Sequence, residues 1–297
     1  MLLRHLKYLL AVADHGNFSR AAQALHVSQP TLSQQIKQLE ESLGAELLDR
    51  SARTVRPTDT GAAYIEYARK VMRDLEAANR AIHDVKDLSR GTLRLAMTPT
   101  FMAYLAGPLI REFSSRHPAI RLSVFELSLD EIEARLADDS LDLAIAFTDV
   151  RDPDIDCVPL FVETLSVMVG QVHPLFGRQE PLSGDELASL PLVLLTKDFI
   201  TRTCVDDYCR AHGITPTVDM QANSVSAILE IVRHLPMATI LPQDTATQAR
   251  GVFAIPLQGG APQRRAALLR RRSAWQSAAS VEFVRTLNRW CEGLAQP

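Results

Sequence analysis

The stretch FSRAAQALHVSQPTLSQQIKQLEESLG, residues 18–44, predicts two short helices joined by a tight turn. The first helix is rich in alanine and begins at Ser19, a residue type that caps helix N-termini. His26-Val27 interrupts it, and Ser28 caps a second helix, whose first turn tolerates Pro30 because its N–H groups are unpaired anyway. A buried stripe at helical spacing follows, formed by Leu32, Ile36, Leu39 and Leu43. This is the pattern of a helix-turn-helix.

The free face of the second helix carries Ser, Thr and Gln side chains. Gln makes paired hydrogen bonds to adenine, Ser and Thr adapt to either strand, and the N-terminal residues of a recognition helix approach the bases. The alternative for any single Gln is a solvated helix face. Taken together, these residues predict a DNA interface formed by Ser28, Gln29, Pro30, Thr31, Ser33, Gln34 and Lys37, with Arg50, Arg53 and Arg56 of a following turn or wing reaching phosphates.

Length, charge and composition bound the remaining possibilities. A chain of 297 residues has room for two or three domains, and its net charge of −3 neither favours nor excludes nucleic acid, because a small module can be locally basic. Arg4, His5 and Lys7 break the apolar N-terminus, which argues against a signal peptide. No apolar run approaches the ~20 residues that span a bilayer. We therefore expect a cytoplasmic protein without a membrane partner.

Residues 59–90 form one long helical pattern without Pro and with Gly61 as the only glycine. Apolar positions recur there at alternating separations of three and four residues: Tyr64, Ala68, Val71, Leu75, Ala78, Ile82 and Val85. So narrow a seam must be buried against another helix. It predicts a linker helix that dimerises the chain, the alternative being a seam packed on the chain's own body.

From Gly91 onward, strand-like runs alternate with amphipathic helices. The first strands are predicted at Thr92–Met97, Ile120–Phe125 and Leu141–Phe147. Two α/β half-domains with a cleft between them explain the pattern. The predicted fold class is therefore α + α/β: a winged helix-turn-helix over residues 1–58, a linker helix over 59–90, and a two-lobed effector domain over 91–297, with lobe I at about 91–162 and 267–297 and lobe II at about 163–266.

Several N-terminal motifs resemble those of the LysR-type transcriptional regulators. They are Phe18-Ser19-Arg20-Ala21-Ala22, Leu25-His26-Val27-Ser28-Gln29-Pro30, Gln38-Leu39-Glu40, Leu43-Gly44, Leu47-Leu48-Asp49-Arg50 and Thr58-Asp59-Thr60-Gly61. The resemblance implies a winged helix-turn-helix, a dimerising helix and an effector domain similar to periplasmic binding proteins. It also implies promoter DNA as partner, with RNA polymerase as a further one, and assembly as a dimer or as a tetramer built from two dimers.

Further segments resemble the members of that family that activate cyanate-metabolism operons. They are Arg80–Val85, Thr98-Pro99-Thr100-Phe101, Ala144–Phe147, Ala222–Glu230, Leu268–Arg271 and Trp275–Ser280. This resemblance implies an effector that is cyanate or a similar small linear anion. No other cofactor is expected.

Polar residues at predicted strand ends and helix N-termini give the candidate effector site. Ligands of open α/β sheets bind beyond the carboxyl ends of the strands, and helix N-termini offer unpaired donors to an anion. The candidates are Thr98, Thr100, Phe101, Ser128, Phe147 and Thr148 from one lobe, and Thr201, Arg202, Asn223 and Ser224 from the other. The alternative is that each polar residue merely caps a helix. The residues leave cyanate and a small carboxylate open.

Two rival functions remain to be weighed. A thiol redox sensor needs a cysteine pair, and Cys204 and Cys209 are five residues apart. On one helix they differ by roughly 140°, so pairing requires local unfolding. An enzyme is not expected, because the eight histidines are dispersed, the four cysteines lack metal-ligand spacing and no glycine-rich phosphate loop occurs.

Overall fold

A computed structural model describes residues 3–51, 54–84, 91–272 and 274–294, with the side chains of residues 76, 77, 79–84 and 294 left out. The chain divides into two compact units, residues 1–83 and 84–297, and each is described by itself. Among the described residues no helix is both long enough and apolar enough to cross a membrane.

The first unit is a winged helix-turn-helix followed by a long helix. Its elements are α1 (Leu3–His15), α2 (Phe18–Ala24), α3 (Gln29–Leu43), β1 (Leu48–Asp49), β2 (Arg56–Pro57) and α4 (Asp59–Asp84). Leu9, Val12, Leu32, Ile36 and Leu39 are fully buried where α1, α2 and α3 meet. The antiparallel pair β1–β2 forms the wing, residues 48–57. The predicted helix-turn-helix with a wing is confirmed.

Two details of the first unit differ from the prediction. Helix α2 is capped by Asn17, whose side chain accepts a hydrogen bond from the Arg20 N–H, so Ser19 lies inside the helix and caps nothing. Leu43 is 41% exposed, because α3 ends there at Gly44, which adopts a left-handed conformation at φ 66° and turns the chain towards the wing. Ser28 caps α3 as expected.

The predicted apolar seam lies on α4, a helix of 26 residues, and its first residues are covered within the unit whereas later ones are exposed. Tyr64 and Ala68 are covered within the unit, and the neighbouring Ile65 packs into the winged-helix core. Val71 and Leu75 are 49% and 37% exposed, so this part of the seam has no cover within the unit. Ala78 is exposed as well, whereas the side chain of Ile82 and all of Val85 lie outside the described residues.

The second unit is a two-lobed α/β structure. Its strands are β3 (Gly91–Met97), β4 (Ile120–Glu126), β5 (Leu143–Phe147), β6 (Ile155–Gly170), β7 (Pro191–Leu195), β8 (Thr217–Ala222), β9 (Ala238–Pro242), β10 (Val252–Ile255) and β11 (Gln263–Arg271). Its helices are α5 (Pro99–Tyr104), α6 (Ala106–Arg116), α7 (Leu129–Ala137), α8 (Gly184–Ser189), α9 (Ile200–Ala211), α10 (Val225–His234), α11 (Thr245–Gln248) and α12 (Ala278–Leu294).

The two lobes share one continuous sheet, in which the strand order is β4-β3-β5-β11-β6-β9-β7-β8, with β10 beside β6. Strands β3, β4 and β5 run parallel in lobe I, and β7, β8 and β9 run parallel in lobe II. The 16-residue strand β6 crosses between them: residues 155–164 pair with β11, and residues 165–170 pair with β9 and β10. Helices on both faces of the sheet bury a separate apolar core in each lobe. The predicted α + α/β fold class is confirmed.

Candidate DNA interface and effector site

The N-terminal half of α3 presents the predicted reading face to solvent. Gln29, Pro30, Thr31, Gln34 and Lys37 are exposed, and Ser33 is half-buried. The Ser28 hydroxyl accepts from the Thr31 N–H at 3.3 Å and lies 2.7 Å from the Thr31 hydroxyl, so these two groups hold the first turn of the helix. Gln29 and Gln34 are the amide side chains on this face best suited to a base edge.

The wing differs from the prediction in the role of Arg50. Its guanidinium pairs with the Glu40 carboxylate at 2.5 Å and lies over the Phe18 ring, 5.2 Å from the centroid. Glu40 is buried and also accepts from the N–H groups of Leu47 and Leu48. Arg50 and Glu40 therefore fix the wing to α3, a role that the sequence did not indicate.

Of the other two predicted wing arginines, the structure describes only Arg56. Arg56 is exposed on β2, opposite Asp49 of β1, where it is accessible to a phosphate. Hydrogen bonds from Ser51 and the nearby Arg56 lower the pKa of the Asp49 carboxyl. Arg53 lies outside the described residues. Arg56 is therefore the clearest phosphate-contact candidate in the wing.

Replacing Gln34 with alanine is expected to lower affinity for the cognate promoter by about 5–150-fold, because a paired hydrogen bond to a base contributes about 1–3 kcal/mol. Base preference at one position relaxes, while the dependence of affinity on salt stays unchanged. Arg56→Ala is the matched variant: it lowers the slope of log affinity against log salt by about 0.9 and leaves base preference intact. Fluorescence-anisotropy titrations at several salt concentrations measure both. Equal behaviour of the two variants would contradict the assignment.

A cavity of about 470 Å³ opens where the carboxyl ends of β3, β4 and β5 meet the N-terminus of α9. We call it the effector cavity. Residues of both lobes line it: Thr98, Pro99, Thr100, Glu126, Leu127, Ser128, Leu129, Asp130, Glu131 and Phe147 from lobe I, and Asp198, Phe199, Ile200 and Thr201 from lobe II. An adjoining cavity of about 700 Å³ includes Thr148, Cys204 and Arg264. The fold thus brings together the predicted residues Thr98, Thr100, Ser128, Phe147 and Thr201.

A buried arginine stands behind this cavity. Arg264 of β11 donates through Nη2 to the Thr100 hydroxyl of lobe I at 2.9 Å, and through Nη1 to the Thr201 hydroxyl of lobe II at 2.5 Å. Its Nε donates to the Glu163 carboxylate of β6, and its guanidinium lies 4.1 Å from the Phe147 ring centroid. Arg264 therefore connects both lobes with a strand that crosses between them.

The far side of this network is closed by a tyrosine. Tyr104 donates its hydroxyl to Glu163 at 2.7 Å, and burial together with that carboxylate raises the pKa of Tyr104. Burial also raises the pKa of the Glu163 carboxyl, while Arg264 and Tyr104 act to lower it. Neither Arg264 nor Glu163 was predicted, because nothing in the local sequence distinguishes them from surface charges on strands.

Three buried threonines line the effector cavity, and each has a hydroxyl hydrogen that it can donate to a ligand. Thr98 is 4% exposed, and its hydroxyl has no hydrogen-bond partner among the described residues. Thr100 and Thr201 are equally buried, and both accept from Arg264, which leaves their own hydrogens available. This three-threonine cluster (Thr98, Thr100 and Thr201) suits a ligand atom that accepts hydrogen bonds.

The mouth of the effector cavity is acidic. Glu126, Asp130, Glu131 and Asp198 line it, and no lysine or arginine is among its described lining residues. Burial raises the pKa of the Glu126 carboxyl, whereas hydrogen bonds from Thr196 and the backbone lower that of Asp198. Hydrogen bonds from the Ser128 N–H and hydroxyl lower the pKa of Glu131, whose carboxylate is thereby engaged in capping α7.

Several predicted effector residues are committed elsewhere. The Ser128 hydroxyl caps α7 together with Glu131, and the Ser224 hydroxyl caps α10, so both follow the capping alternative. Arg202 is buried with hydrogen bonds to Asp206, Gln221 and the Leu195 carbonyl.

Three more predicted effector residues lie apart from the cavity. Phe101 is fully buried against Phe147, 4.9 Å between ring centroids, and belongs to the core. Asn223 is exposed, and neither it nor Ser224 lines the two cavities described. Thr148 is exposed and lines only the adjoining cavity.

The two cysteines of α9 do not form a pair. Five residues along a helix place their Cα atoms roughly 8–9 Å apart, beyond disulfide reach. Cys209 is buried in the lobe II core, and Cys204 lines the adjoining cavity. Burial raises the pKa of both thiols. In the described part of the chain, no group of three or more His, Cys, Asp and Glu residues is arranged to hold a metal ion.

The fold and these two sites define a DNA-binding regulator with a ligand-responsive domain. Residues 3–62 match the bacterial regulatory helix-turn-helix proteins of the lysR family, and residues 86–292 match the LysR substrate binding domain. The chain belongs to the LysR family of transcriptional regulators, whose members are not enzymes. Regulators of this family bind promoter DNA and form oligomers.

Individual relatives extend over nearly the whole chain. The hydrogen peroxide-inducible genes activator of Dickeya chrysanthemi is 31% identical over 91% of this chain and 90% of its own length. A full-length OxyR variant from Pseudomonas aeruginosa superposes with a TM-score of 0.71 at 25% identity, covering 98% of this chain and 95% of that one. CbnR in complex with its target DNA superposes with a TM-score of 0.67 at 24% identity, covering 97% and 99%, and has the same fold.

Proposed function

We propose that this protein is a transcriptional activator that responds to a small molecule carrying an anionic or carbonyl oxygen, bound in the effector cavity. The observation that carries the proposal is the three-threonine cluster, whose hydroxyls come from both lobes and have hydrogens to donate. An acceptor atom held there links Thr98 and Thr100 of lobe I to Thr201 of lobe II.

A ligand that links the two lobes can shift the protein between two conformations. A ligand shifts a conformational equilibrium only by the difference in its affinity for the two states. An acceptor held by hydroxyls of both lobes is bound more tightly when the lobes are close than when they are apart. The bound arrangement in turn changes the relative placement of the DNA readers in the oligomer.

Cyanate is one small anion that would accept hydrogen bonds from these hydroxyls. A linear three-atom anion displaces about two water volumes, on the order of 60 Å³. The effector cavity, at about 470 Å³, has the size of sites that bind larger molecules. A small carboxylate therefore fills it better than cyanate does, and both are kept as candidates.

A peroxide-responsive thiol switch is the second candidate, because the Dickeya chrysanthemi relative is named as a peroxide-inducible activator and an OxyR structure superposes closely. The cysteines of this chain disfavour it: thiolates are the reactive form, and burial raises the pKa of Cys157, Cys204, Cys209 and Cys291, the last to about 11. Promoter binding that changes on peroxide treatment in the wild type but not in Cys204→Ser would establish this candidate instead.

Titration of sodium cyanate and of short-chain carboxylates into the full chain tests the proposal. The proposal is wrong if none of them binds saturably at millimolar concentration. For a ligand that binds, Thr98→Val is expected to lower affinity by about 10–150-fold, since a hydrogen bond to a charged group contributes about 1.5–3 kcal/mol. Calorimetry measures the affinity.

The matched control is Thr148→Val, which removes an exposed hydroxyl from the adjoining cavity and should leave affinity unchanged. Thr98→Val should not destabilise the free protein, because the hydroxyl it removes is buried, has no hydrogen-bond partner in the described part of the chain and does not cap α5. A variant that loses affinity together with thermal stability would point to a structural role for Thr98.

A further inference from the structure

We propose that the effector is a small zwitterion of the amino-acid type, with its carboxylate on the three-threonine cluster and its ammonium group at the acidic mouth of the effector cavity. This inference rests on the proposed function and adds the second charge of the ligand. It follows from the unequal chemistry of the two ends of one cavity.

The inner end of the cavity offers hydroxyl groups that can donate hydrogen bonds to an acceptor. Three threonines that are more than nine-tenths buried line it, and the guanidinium of Arg264 donates to the hydroxyls of two of them, Thr100 and Thr201. Because Thr100 and Thr201 already accept from a cation, their hydrogens can only be directed to another acceptor. The Thr98 hydroxyl is buried and unpartnered among the described residues, which is costly unless a ligand or water accepts from it.

The outer end of the cavity offers carboxylates, which accept hydrogen bonds and attract a cation. Two of the four mouth carboxylates are already engaged, since Glu131 caps α7 and Asp130 lies 3.9 Å from Arg151. Glu126 and Asp198 have no ion pair among the described residues, and one comes from each lobe. Burial raises the pKa of Glu126, so a bound cation there would favour its ionised form.

The two ends lie close together. Glu126 stands opposite Met97 in the parallel ladder of β3 and β4, and Thr98 follows Met97 directly. Asp198 lies three residues before Thr201, at the start of α9. Each lobe therefore brings a threonine hydroxyl and a carboxylate without an ion pair among the described residues to the lining of the same cavity. An α-amino acid carries its carboxylate and ammonium on one carbon atom, so a single small molecule can present both groups to this lining.

A ligand with only a negative charge or only a positive charge does not match both ends of the cavity. A simple anion would be repelled by the mouth carboxylates, and a simple amine would leave three hydroxyl donors without an acceptor and face the charge of Arg264. A zwitterion meets both ends, and the remaining volume of the cavity takes a side chain. Pro99, Leu127, Leu129, Phe199 and Ile200 supply apolar walls for it.

The test is calorimetric titration of the full chain with the proteinogenic L-amino acids, and, for each that binds, with its deaminated carboxylate and its decarboxylated amine. We expect at least one amino acid to bind saturably and both analogues to bind at least about tenfold more weakly. Asp198→Asn and Glu126→Gln should each weaken amino-acid binding by about tenfold or more without weakening the carboxylate. Asp219→Asn, an exposed carboxylate on β8, is the control and should change nothing.

The outcomes separate the two proposals. Binding of cyanate or a plain carboxylate without any amino acid overturns the zwitterion and leaves the proposed function standing. Binding of an amine as tight as that of its amino acid overturns both. Absence of binding by every amino acid, carboxylate and cyanate also overturns both.

Discussion

Replacing Arg264 with methionine should destabilise the effector domain by about 3–5 kcal/mol, because it leaves Glu163 buried without its counter-ion. Domains of this size lose about 2–4 °C of melting temperature per kcal/mol, so a drop of roughly 6–20 °C is expected. Differential scanning calorimetry measures it. Arg265→Met, at the exposed neighbouring position of the same strand, is the control and should melt within about 2 °C of the wild type.

A second substitution separates the lost ion pair from lost packing. In the double variant Arg264→Met with Glu163→Leu both members of this buried ion pair are gone, and well-packed apolar groups replace ion pairs at little or no cost. Most of the lost stability should return. A double variant as unstable as the single one would show that the guanidinium stabilises the domain by contacts other than the Glu163 pair.

The loss of folding stability in Arg264→Met should also depend on pH. Without Arg264, burial is the largest remaining influence on Glu163 and raises the pKa of its carboxyl above the ordinary 4.5; the hydrogen bond from Tyr104 acts against burial, and Asp244 adds to it. A raised folded-state pKa means that the folded protein holds the proton more tightly than the unfolded chain. The variant is therefore least destabilised near pH 4.5 and becomes progressively less stable as the pH rises to neutrality. A pH-independent difference from the wild type would contradict this.

Replacing Gly61 with alanine should disrupt the junction between the wing and α4. A Cβ at this position would lie 1.8 Å from the Leu47 carbonyl oxygen, and backbone cannot move aside cheaply. Thr58 holds the same junction: its hydroxyl donates to the Glu46 carbonyl at 2.7 Å and accepts from the Gly61 N–H at 2.9 Å. We expect more than about 3 kcal/mol of destabilisation, a typical upper value for steric overlap in a packed region.

DNA affinity should fall with it, because α4 can no longer start beside the wing, which carries Arg56, the predicted phosphate contact. Chemical denaturation monitored by circular dichroism gives the stability, and anisotropy titration gives the affinity. Gly107→Ala is the matched control: it lies in α6 with nothing within 4 Å of the added Cβ, and should stabilise by about 0.5–1 kcal/mol. A Gly61→Ala variant with wild-type stability would show that α4 shifts freely along the wing.

Much of the fold follows from local patterns. The alternation of Leu32, Ile36 and Leu39 with polar residues produces α3 because one face of a helix must be buried, and Ser28 caps it as expected. Strands β3 and β4 begin within one residue of their predicted starts, since short apolar runs between turns have few alternatives. The first half of β6 was missed because its residues 155–164 alternate irregularly between buried and exposed.

The effector site followed from local patterns only in part. A polar residue between a strand and a helix is a recognisable signal, and Thr98, Ser128 and Thr201, which were predicted from it, line one cavity. The hydroxyls of Ser128 and Ser224 also cap their own helices, since whether a hydroxyl is used by its own helix depends on the residue three positions later and on the turn it makes. Arg50 was assigned to phosphate although Glu40 engages it.

Residues close together along the chain specified the capped helices, the buried stripes, the positions of several strands along the chain and, through the N-terminal motifs, the resemblance to the LysR family. Residues far apart specified the site: Arg264 meets Glu163, Thr201 and Thr100 across separations of 101, 63 and 164 residues. Helix and strand formation depend on neighbouring groups, whereas the charge balance of a cavity depends on which distant side chains the sheet brings to the same edge. For that reason the threonine hydroxyls could be proposed from the chain alone, and the arginine behind them and the acids in front of them could not.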